Sequence, residues 1–331
     1  MASTVVIQSK QGIGDVTWNL PYIRAIAAIS RGGKVLFLAL PSTHAQELLQ
    51  AEPCVERTIY FESRGSELQR VAHLLRLVTT LRSLKCDTAW FLDRTVRPGV
   101  AALLAGIPNR IGVGLGAQRW FITNRGVDRA LEREPYHFQW LPPLMAQMKA
   151  PFASQEPNLL LPLASIAGAR EKYRPHPRPW IVLGLGGSHP LKEWPLEHWT
   201  ELMAALRRRV AGTVFLIGGP AQSANAERLV AATSGVPAVN ACDSSVIDAA
   251  ALLHEADCFV GPDSGPMNLA ASVGTPAFGL FGATRVLNHS RFIHPVLPDD
   301  GRVSLDGMRR ISPAKVLARI EPHLACLKAD V

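Results

Sequence analysis

Three loops in this 331-residue chain combine residue types that could do chemistry. The stretch from Asp257 to Thr284 reads as an apolar strand (Cys258 to Gly261), a turn (Pro262 to Pro266), a helix (Met267 to Val273) and a second apolar strand (Ala277 to Phe281). Gly265 lets the backbone turn closely, and Pro266 suits the first helical position, where its missing N–H is an orphan anyway. The first helical turn then directs N–H groups and a positive dipole end over Asp263 and Ser264. That makes an anion site suited to the phosphates of a nucleotide. Taken alone, the stretch is an ordinary crossover with a Gly/Pro-rich turn. A second loop runs from Gly184 to Pro195. Gly186 and Gly187 follow a strand and allow close backbone approach, Ser188 adds a hydroxyl, and Lys192 is a cationic partner for phosphate. Gly218-Gly219-Pro220, after the strand Phe215 to Ile217, would form another wall of the same pocket.

The third loop, Gly12-Ile13-Gly14-Asp15, follows the first strand. Thr17 stands where a dinucleotide fingerprint needs its third glycine, which disfavours a nicotinamide dehydrogenase. Asp15 has two readings, an N-cap at a helix start or a carboxylate acting as general base. His44, His73, His137, His189, His254 and His289 do not pair with another ligand type at metal spacing within one element, so no metal site is expected. The cysteines are odd in number and far apart. Cys86 and Cys258 lie in apolar runs and read as small buried hydrophobes, as suits a reducing cytoplasm.

The elements that must position these loops alternate in type. Thr4 to Ser9 is a β-branched strand, and the helix after it carries Val16, Leu20, Ile23, Ile26 and Ala27 on one face, with Pro21 expected to kink it. Lys34 to Leu40 and Thr88 to Leu92 are further strands. Ser66 to Leu84 is a long helix with a stripe of Leu68, Val71, Ala72, Leu75, Val78 and Leu81. Arg110 to Arg133 looks irregular, and a helix is expected from about His137 to Met148. Ala150 to Pro162, with three prolines, is the candidate linker. Beyond it, strands at Trp180 to Leu185, Thr213 to Ile217, Ala238 to Ala241, Cys258 to Gly261 and Ala277 to Phe281 alternate with helices. Those helices cover Leu196 to Arg209, Ala221 to Thr233 and Val246 to Glu255, and an amphipathic helix spans Ser312 to Leu327. Such alternation implies parallel, doubly wound sheets with ligands at the carboxyl ends of the strands.

The bulk composition, 47% hydrophobic and 19% charged, describes a globular α/β chain of two domains. A formal charge of +8 admits nucleic acid, an anionic membrane surface or an anionic substrate. Nucleic acid is the weakest of these, because no aromatic-interleaved basic patch or helix-turn-helix is present. The cluster Arg207-Arg208-Arg209 ends a helix, where cations favour the dipole. The N-terminus lacks a signal-peptide pattern, and Gly, Pro, Ser and Asn interrupt the uncharged run Ser264 to Thr284 too often for a membrane span.

Together these pieces resemble glycosyltransferase family nine, the bacterial ADP-heptose:lipopolysaccharide heptosyltransferases of GT-B fold. The resemblance covers nearly the whole chain. It rests on Gly12-x-Gly14-Asp15 with Pro21, Lys192-x-Trp194-Pro195, Gly218-Gly219, and Asp263-Ser264-Gly265-Pro266-Met267-Asn268-Leu269-Ala270-Ala271 followed by Phe281-Gly282-x-Thr284. It implies two Rossmann-like domains of parallel sheet facing a central cleft. Residues 1–158 would bind the acceptor and 159–311 the nucleotide-sugar donor, and the helix at 312–331 would be free to pack back on the first domain. The implied reaction is inverting, metal-independent and cofactor-free, moving a heptose or related sugar from an ADP-sugar to a hydroxyl of a lipopolysaccharide core or similar glycan.

By matching position, Asp15 would be the base and Lys192 would hold the phosphates and offset charge on the departing ADP. The implied donor contacts are Gly186, Gly187, Ser188, Gly219, Gln222, Asp263, Ser264, Gly265, Pro266 and Asn268. Gly14, Arg94, Arg97 and Arg119 are candidate contacts to the acceptor. Two positions depart from the family pattern, Asn268 in place of a His and Gln222 in place of an acidic residue. Competing readings are a nucleotide-sugar epimerase or hydrolase, and a non-catalytic nucleotide-sugar-binding relative. The expected location is cytoplasmic, at the inner membrane surface where a lipid-linked acceptor would be met.

Overall fold

The computed structural model describes residues 3–134, 139–152, 154–187, 189–232, 237–286 and 290–329, with the last helix's side chains described to 325. The chain divides into two compact units, Met1–Leu160 and Leu161–Val331.

The first unit is built on β1 (Thr4–Ile7), β2 (Val35–Ala39), β3 (Val55–Tyr60), β4 (Thr88–Phe91) and β5 (Asn109–Gly112). These pair in the order β3-β2-β1-β4-β5, every pairing parallel. The helices are α1 (Ile13–Ile29), α2 (Ala45–Leu48), α3 (Glu67–Leu84), α4 (Val96–Leu104) and α5 (Leu141–Gln147). Strands β1, β2 and β4 are short, mostly apolar and buried apart from the half-buried Thr88, as a sheet covered by helices requires. Four elements here have no expectation from the sequence, the short α2 among them. Strand β3 is polar and half exposed, β5 is a four-residue edge strand in a segment that reads as irregular, and α4 begins directly after the Arg94 loop. Edge strands meet water on one side, so they lack the apolar run that marks an interior strand. Helix α1 runs unbroken through the buried Pro21 to Ile29.

Helix α3 buries only the C-terminal part of the stripe expected from periodicity, Val78 and Leu81. Its core face is Leu77, Val78 and Leu81, with Leu74 half-buried beside them. Leu68, Val71 and Leu75 instead point to solvent, and Ala72 is exposed with them. Leu77 and Leu81 lie roughly opposite Leu68 and Leu75 on the helical wheel, at about 100° per residue. Val71 and Val78, seven residues apart, share a side but differ in burial, so the apolar residues left outside belong to the N-terminal half of the helix.

The second unit contains β6 (Trp180–Gly184), β7 (Thr213–Ile217), β8 (Ala238–Asn240), β9 (Cys258–Pro262), β10 (Ala277–Leu280) and β11 (Ile293–Val296). Their order is β11-β10-β9-β6-β7-β8, again wholly parallel. Strand β11 is another edge strand without an expectation from the sequence, and its Pro295 is tolerated because an edge leaves N–H positions unpaired. Around the sheet lie α6 (Leu163–Tyr173), α7 (Leu196–Arg207), α8 (Ser223–Ala232), α9 (Val246–Glu255), α10 (Gly265–Ser272) and α11 (Pro313–Ala329). Helix α10 starts at Gly265, one residue before the expected proline, so Ser264 is its N-cap. Helix α11, read from the sequence as a return to the first domain, gives Val316, Leu317, Ile320 and Leu324 to the core of the second unit. There Trp194 Nε1 donates to the Ile311 carbonyl at 2.9 Å, and Arg209 pairs with Glu321 at 3.0 Å. Cys242 and Cys258 are buried in the same core, and burial pushes the Cys242 thiol up to about 11, so both act as small hydrophobes.

Each unit reverses strand order once. In the first, the chain builds outward from β1 through β2 to β3, then returns to β4 and β5 on the other side. In the second the same reversal falls between β6 and β9. At such a point neighbouring loops diverge to opposite faces of the sheet and leave a crevice at the carboxyl ends.

The buried and exposed leucines of α3 make a direct test of this packing. Leu77→Ala should cost about 2–5 kcal/mol, whereas Leu75→Ala should stay within about 0.5 kcal/mol. Urea titration of the two variants against wild type distinguishes them, and equal shifts would refute the assignment of the buried face.

Candidate functional site

In the second unit, the reversal between β6 and β9 brings two of the sequence-marked loops together. Strand β6 ends at Gly184, and the chain passes Gly186 and Gly187 into a single turn of 3₁₀-helix at Pro190–Lys192. Strand β9 ends at Pro262 and delivers Asp263 and Ser264 to the start of α10. Lys192 Nζ bridges the crevice, donating at 3.0 Å both to Asp263 Oδ2 and to the Asp263 carbonyl. The two side chains retain 23% and 13% of their exposure, so the pair is sheltered but open to a ligand. Gly187 is demanded by this geometry, because a Cβ there would stand 2.9 Å from Lys192 Cβ.

Ser264 caps the backbone of α10 without using its side chain, and its buried Oγ finds no partner among the described residues. The N–H groups that the first turn leaves unused by the helix are those of Gly265 and Met267, with Pro266 contributing none. Asn268 Nδ2 donates to the Ser264 carbonyl at 2.9 Å, holding the first turn closed. An ammonium, a hydroxyl with unused capacity and a helix N-terminus converge on one edge, which is a receptacle for an anion.

Gln222 sits in the 3₁₀ turn after β7 and packs against two glycines. A Cβ on Gly218 would fall 2.9 Å from Gln222 Cβ, and one on Gly186 would fall 3.3 Å from its Cγ. A Cβ on Gly219 meets nothing within 4 Å, so the close approach belongs to Gly218. The Gln222 amide donates to Glu193 Oε1 at 3.3 Å and accepts from Asn225 Nδ2 at 3.3 Å. Sequence reasoning overlooked Glu193, the variable residue of the Lys192-x-Trp194-Pro195 run. An open pocket of about 870 Å³ lies on this flank, lined by Leu185, Glu193, Trp194, His198, Gln222 and Leu305 among others. Lys192 and Asp263 do not line it, but Pro190, Leu191, Glu193 and Trp194 on either side of Lys192 do, together with Gln222. Ser188 falls outside the described residues.

In the first unit, Gly12 rather than Asp15 is the N-cap of α1. Asp15 occupies the third helical position, where its Oδ2 accepts the Gly12 N–H at 3.1 Å while Gly14 is buried beneath it. The Asp15 loop is tied to β4 by a carboxylate not singled out from the sequence. Asp93, 2% exposed, accepts the Ser9 N–H at 2.6 Å and the Thr95 N–H at 2.8 Å. The buried Gln118 donates to the Asp93 carbonyl at 2.6 Å and accepts the Gly114 N–H at 2.9 Å. One buried cluster thus fixes the loops leaving β1, β4 and β5. The signal for it is an acid closing a fully apolar strand, Trp90-Phe91-Leu92-Asp93.

The candidate arginines sit on these same loops. Arg94 lies 5.1 Å over the Trp140 ring, Arg97 Nη1 donates to the Ser63 carbonyl at 2.7 Å, and the exposed Arg119 lies 5.0 Å over Trp120. Among the described residues, no group of three or more His, Cys, Asp or Glu could hold a metal ion.

A family model for glycosyltransferase family 9 (heptosyltransferase) matches residues 74–306. The chain is 24% identical to lipopolysaccharide heptosyltransferase 2 of Escherichia coli K12 over 298 residues, covering 84% of this chain and 82% of that protein. The structure of E. coli ADP-heptose LPS heptosyltransferase II superposes with a TM-score of 0.78 at 20% identity, over 98% of this chain and 99% of that one. E. coli heptosyltransferase WaaC with ADP-2-deoxy-2-fluoro heptose gives a TM-score of 0.74 at 18% identity, over 96% and 99% of the two chains.

Removing the carboxylate of Asp93 leaves two backbone donors without their partner. Asp93→Ala should lose about 1–3 kcal/mol for each donor left buried, and Asp93→Asn, which keeps one acceptor, roughly half of the total. Chemical denaturation of the three proteins checks this. Equal stability of Asp93→Ala and wild type would contradict the clamp.

Proposed function

This chain belongs to glycosyltransferase family 9, the heptosyltransferases, and from that premise we propose that it transfers a heptose from an ADP-heptose-type donor to a hydroxyl of a lipopolysaccharide core or related glycan. The observation that carries this reading is the Lys192–Asp263 bridge over the N-terminus of α10. A departing nucleoside diphosphate needs positive charge held where its negative charge develops, and a sheltered ammonium beside helix N–H groups supplies it. The donor's diphosphate would lie against Lys192, the Ser264 hydroxyl and the N–H groups of Gly265 and Met267. Asp263 would keep Lys192 aimed when the site is empty. Gln222 and Glu193 would take the ribose hydroxyls, with the Glu193 carboxylate supplying the acidic acceptor that Gln222 itself lacks.

The first unit would serve the acceptor. Asp15, held by the Gly12 N–H, would accept the proton of the acceptor hydroxyl as its oxygen attacks the anomeric carbon. The new C–O bond forms as the bond from that carbon to the β-phosphate oxygen breaks, and the electron pair leaves with the diphosphate. Attack from the face opposite the leaving group inverts the anomeric centre. Arg94, Arg97 and Arg119 would meet anionic groups of the acceptor. Because protein groups supply the charge compensation, the step is assigned no metal, and no cofactor enters it. A lipid-linked acceptor implies work at the cytoplasmic face of the inner membrane. No helix among the described residues is long and apolar enough to cross it.

Thermal shift with ADP, UDP, GDP and CDP is the first test. ADP at about 100 times its dissociation constant should stabilise wild type by roughly 2.7 kcal/mol, and Lys192→Ala should abolish that gain. Asp15→Asn should retain the ADP shift but lower transfer by about 10²–10⁴-fold. A chelator should leave transfer unchanged. No shift with any of these nucleotides would remove the basis of the donor assignment.

A further inference from the structure

Helix α3 divides its apolar residues between core and solvent. Leu77, Val78 and Leu81 enter the core, while Leu68, Val71 and Leu75 stand outward with 84%, 57% and 58% of their surface exposed. Spaced by three and four residues, the outward leucines and valine share one side of the helix across two turns, with Ala72 between them. Scattered single apolar residues on a surface need no explanation, but an aligned stripe on the outer face of a helix does.

The surroundings of the stripe are basic. From Glu62 to Lys85 the cations Arg64, Arg70, Arg76, Arg82 and Lys85, all exposed, face only Glu62 and Glu67 as counter-charges. Arg76 is held loosely, 3.9 Å from Glu62 with 74% of its side chain exposed. Arg70 Nε donates to the Gly65 carbonyl and Arg82 Nη2 to the Leu104 carbonyl, so both retain their charge. Apolar side chains on one face with arginines beside them are the composition of a helix that lies in the headgroup region of an anionic bilayer. A second protein is a poorer occupant, because two helical turns are small against the roughly 1,200 Å² that a stable protein interface buries.

The position of the stripe fits the same occupant. The exposed half of α3 follows the loop that leaves the carboxyl end of β3, and Arg97 reaches that loop through its bond to the Ser63 carbonyl. The stripe therefore lies on the edge of the first unit that carries Asp15 and the candidate acceptor arginines. We propose that the N-terminal half of α3 docks this protein on an anionic phospholipid surface, Leu68, Val71 and Leu75 entering the acyl boundary while Arg70 and Arg76 engage phosphates. The inference rests on the reading of a lipid-linked acceptor, which such docking would bring to the strand ends by confining both to one plane.

Co-sedimentation with vesicles of phosphatidylcholine alone and of phosphatidylcholine mixed with phosphatidylglycerol tests it on the full chain. Wild type should partition onto the mixed vesicles, and do so less as salt rises. Leu68→Ser/Val71→Ser/Leu75→Ser should lower that partition by about tenfold or more, and Arg70→Gln/Arg76→Gln should lower it on anionic vesicles only. These side chains are exposed, and the ADP thermal shift of each variant verifies that the donor unit is intact. Wild type that ignores both vesicles, or a triple variant that still binds, overturns the docking surface. So does a change in sedimentation mass of the triple variant without vesicle binding by wild type, which assigns the stripe to a second copy. A retained ADP shift in any of these cases leaves the donor reading standing, whereas vesicle binding without an ADP shift leaves the docking surface and removes the donor reading.

Discussion

The parallel pairing of β6 with β9 is the constraint on which the second unit's site depends. A parallel sheet sends every strand's carboxyl end to one edge, but crossover helices normally carry successive loops away over the same face. Only where strand order reverses do adjacent loops diverge and leave room between them. Ile181, Val182 and Leu183 register against Cys258, Phe259 and Val260, so the two chains leave the sheet side by side. The next charged residue after each strand can then reach its counterpart, and Lys192 and Asp263 do so at 3.0 Å. Phe259 reinforces the alignment. Its ring lies so close to Gly184 and Gly261 that a Cβ on either would fall within 2.6 Å of it, which draws the neighbouring strand ends together.

The first unit solves the same geometric problem with a different bond. Its reversal between β1 and β4 is closed by Asp93, whose partners are the backbone N–H groups of Ser9 and Thr95 rather than a lysine. A buried carboxylate costs several kcal/mol of desolvation, about as much as good hydrogen bonds can return. It is retained where it orders loops, since an apolar residue of similar volume would leave both N–H groups without an acceptor. The contrast fits the division of labour. A carboxylate satisfied by backbone is spent on structure and leaves Asp15, one loop away, for the proton transfer proposed for it. A carboxylate paired with a lysine would let that ammonium be shared with a diphosphate, as the proposed donor binding requires.

Interior elements were legible in the sequence because burial writes a pattern. Strands β1, β6, β7 and β9 are β-branched or aromatic runs, and α9 carries Ser245 as its cap with the Asp248 N–H as its donor. Strands β3, β5 and β11 are edge or polar strands whose identity comes from the neighbour they pair with, which no local pattern records. For α3, periodicity alone favoured a stripe of which tertiary packing buries Val78 and Leu81 and leaves Leu68, Val71, Ala72 and Leu75 outside. The site shows the same division. Lys192, Asp263, Ser264 and Asp15 announced themselves by following strands and glycines. The Lys192–Asp263 bond, spanning 71 residues of chain, and the roles of Asp93 and Gln118 depend on strand order and became visible only with the sheet.

Gln222 shows why a departure from a family pattern has to be judged in three dimensions. Read along the chain, an amide in place of a carboxylate removes the only group there that can accept two hydroxyl protons without also presenting a donor. In the fold, the carboxylate of Glu193 lies within hydrogen-bond distance of that amide, brought there by the 3₁₀ turn that also sets Lys192. The amide and carboxylate together keep the acceptor capacity of an acidic residue and add an N–H that a lone carboxylate would not have. The negative charge has moved from the turn after β7 to the loop after β6, where it shares a segment with the lysine proposed to face the phosphates. On the proposed donor binding, grip on the sugar ring and grip on the phosphates would depend on one loop, and anything that reorders Pro190–Lys192 would change both at once. Gly187, which admits Lys192 Cβ where no other side chain would, is the residue that fixes that loop in place.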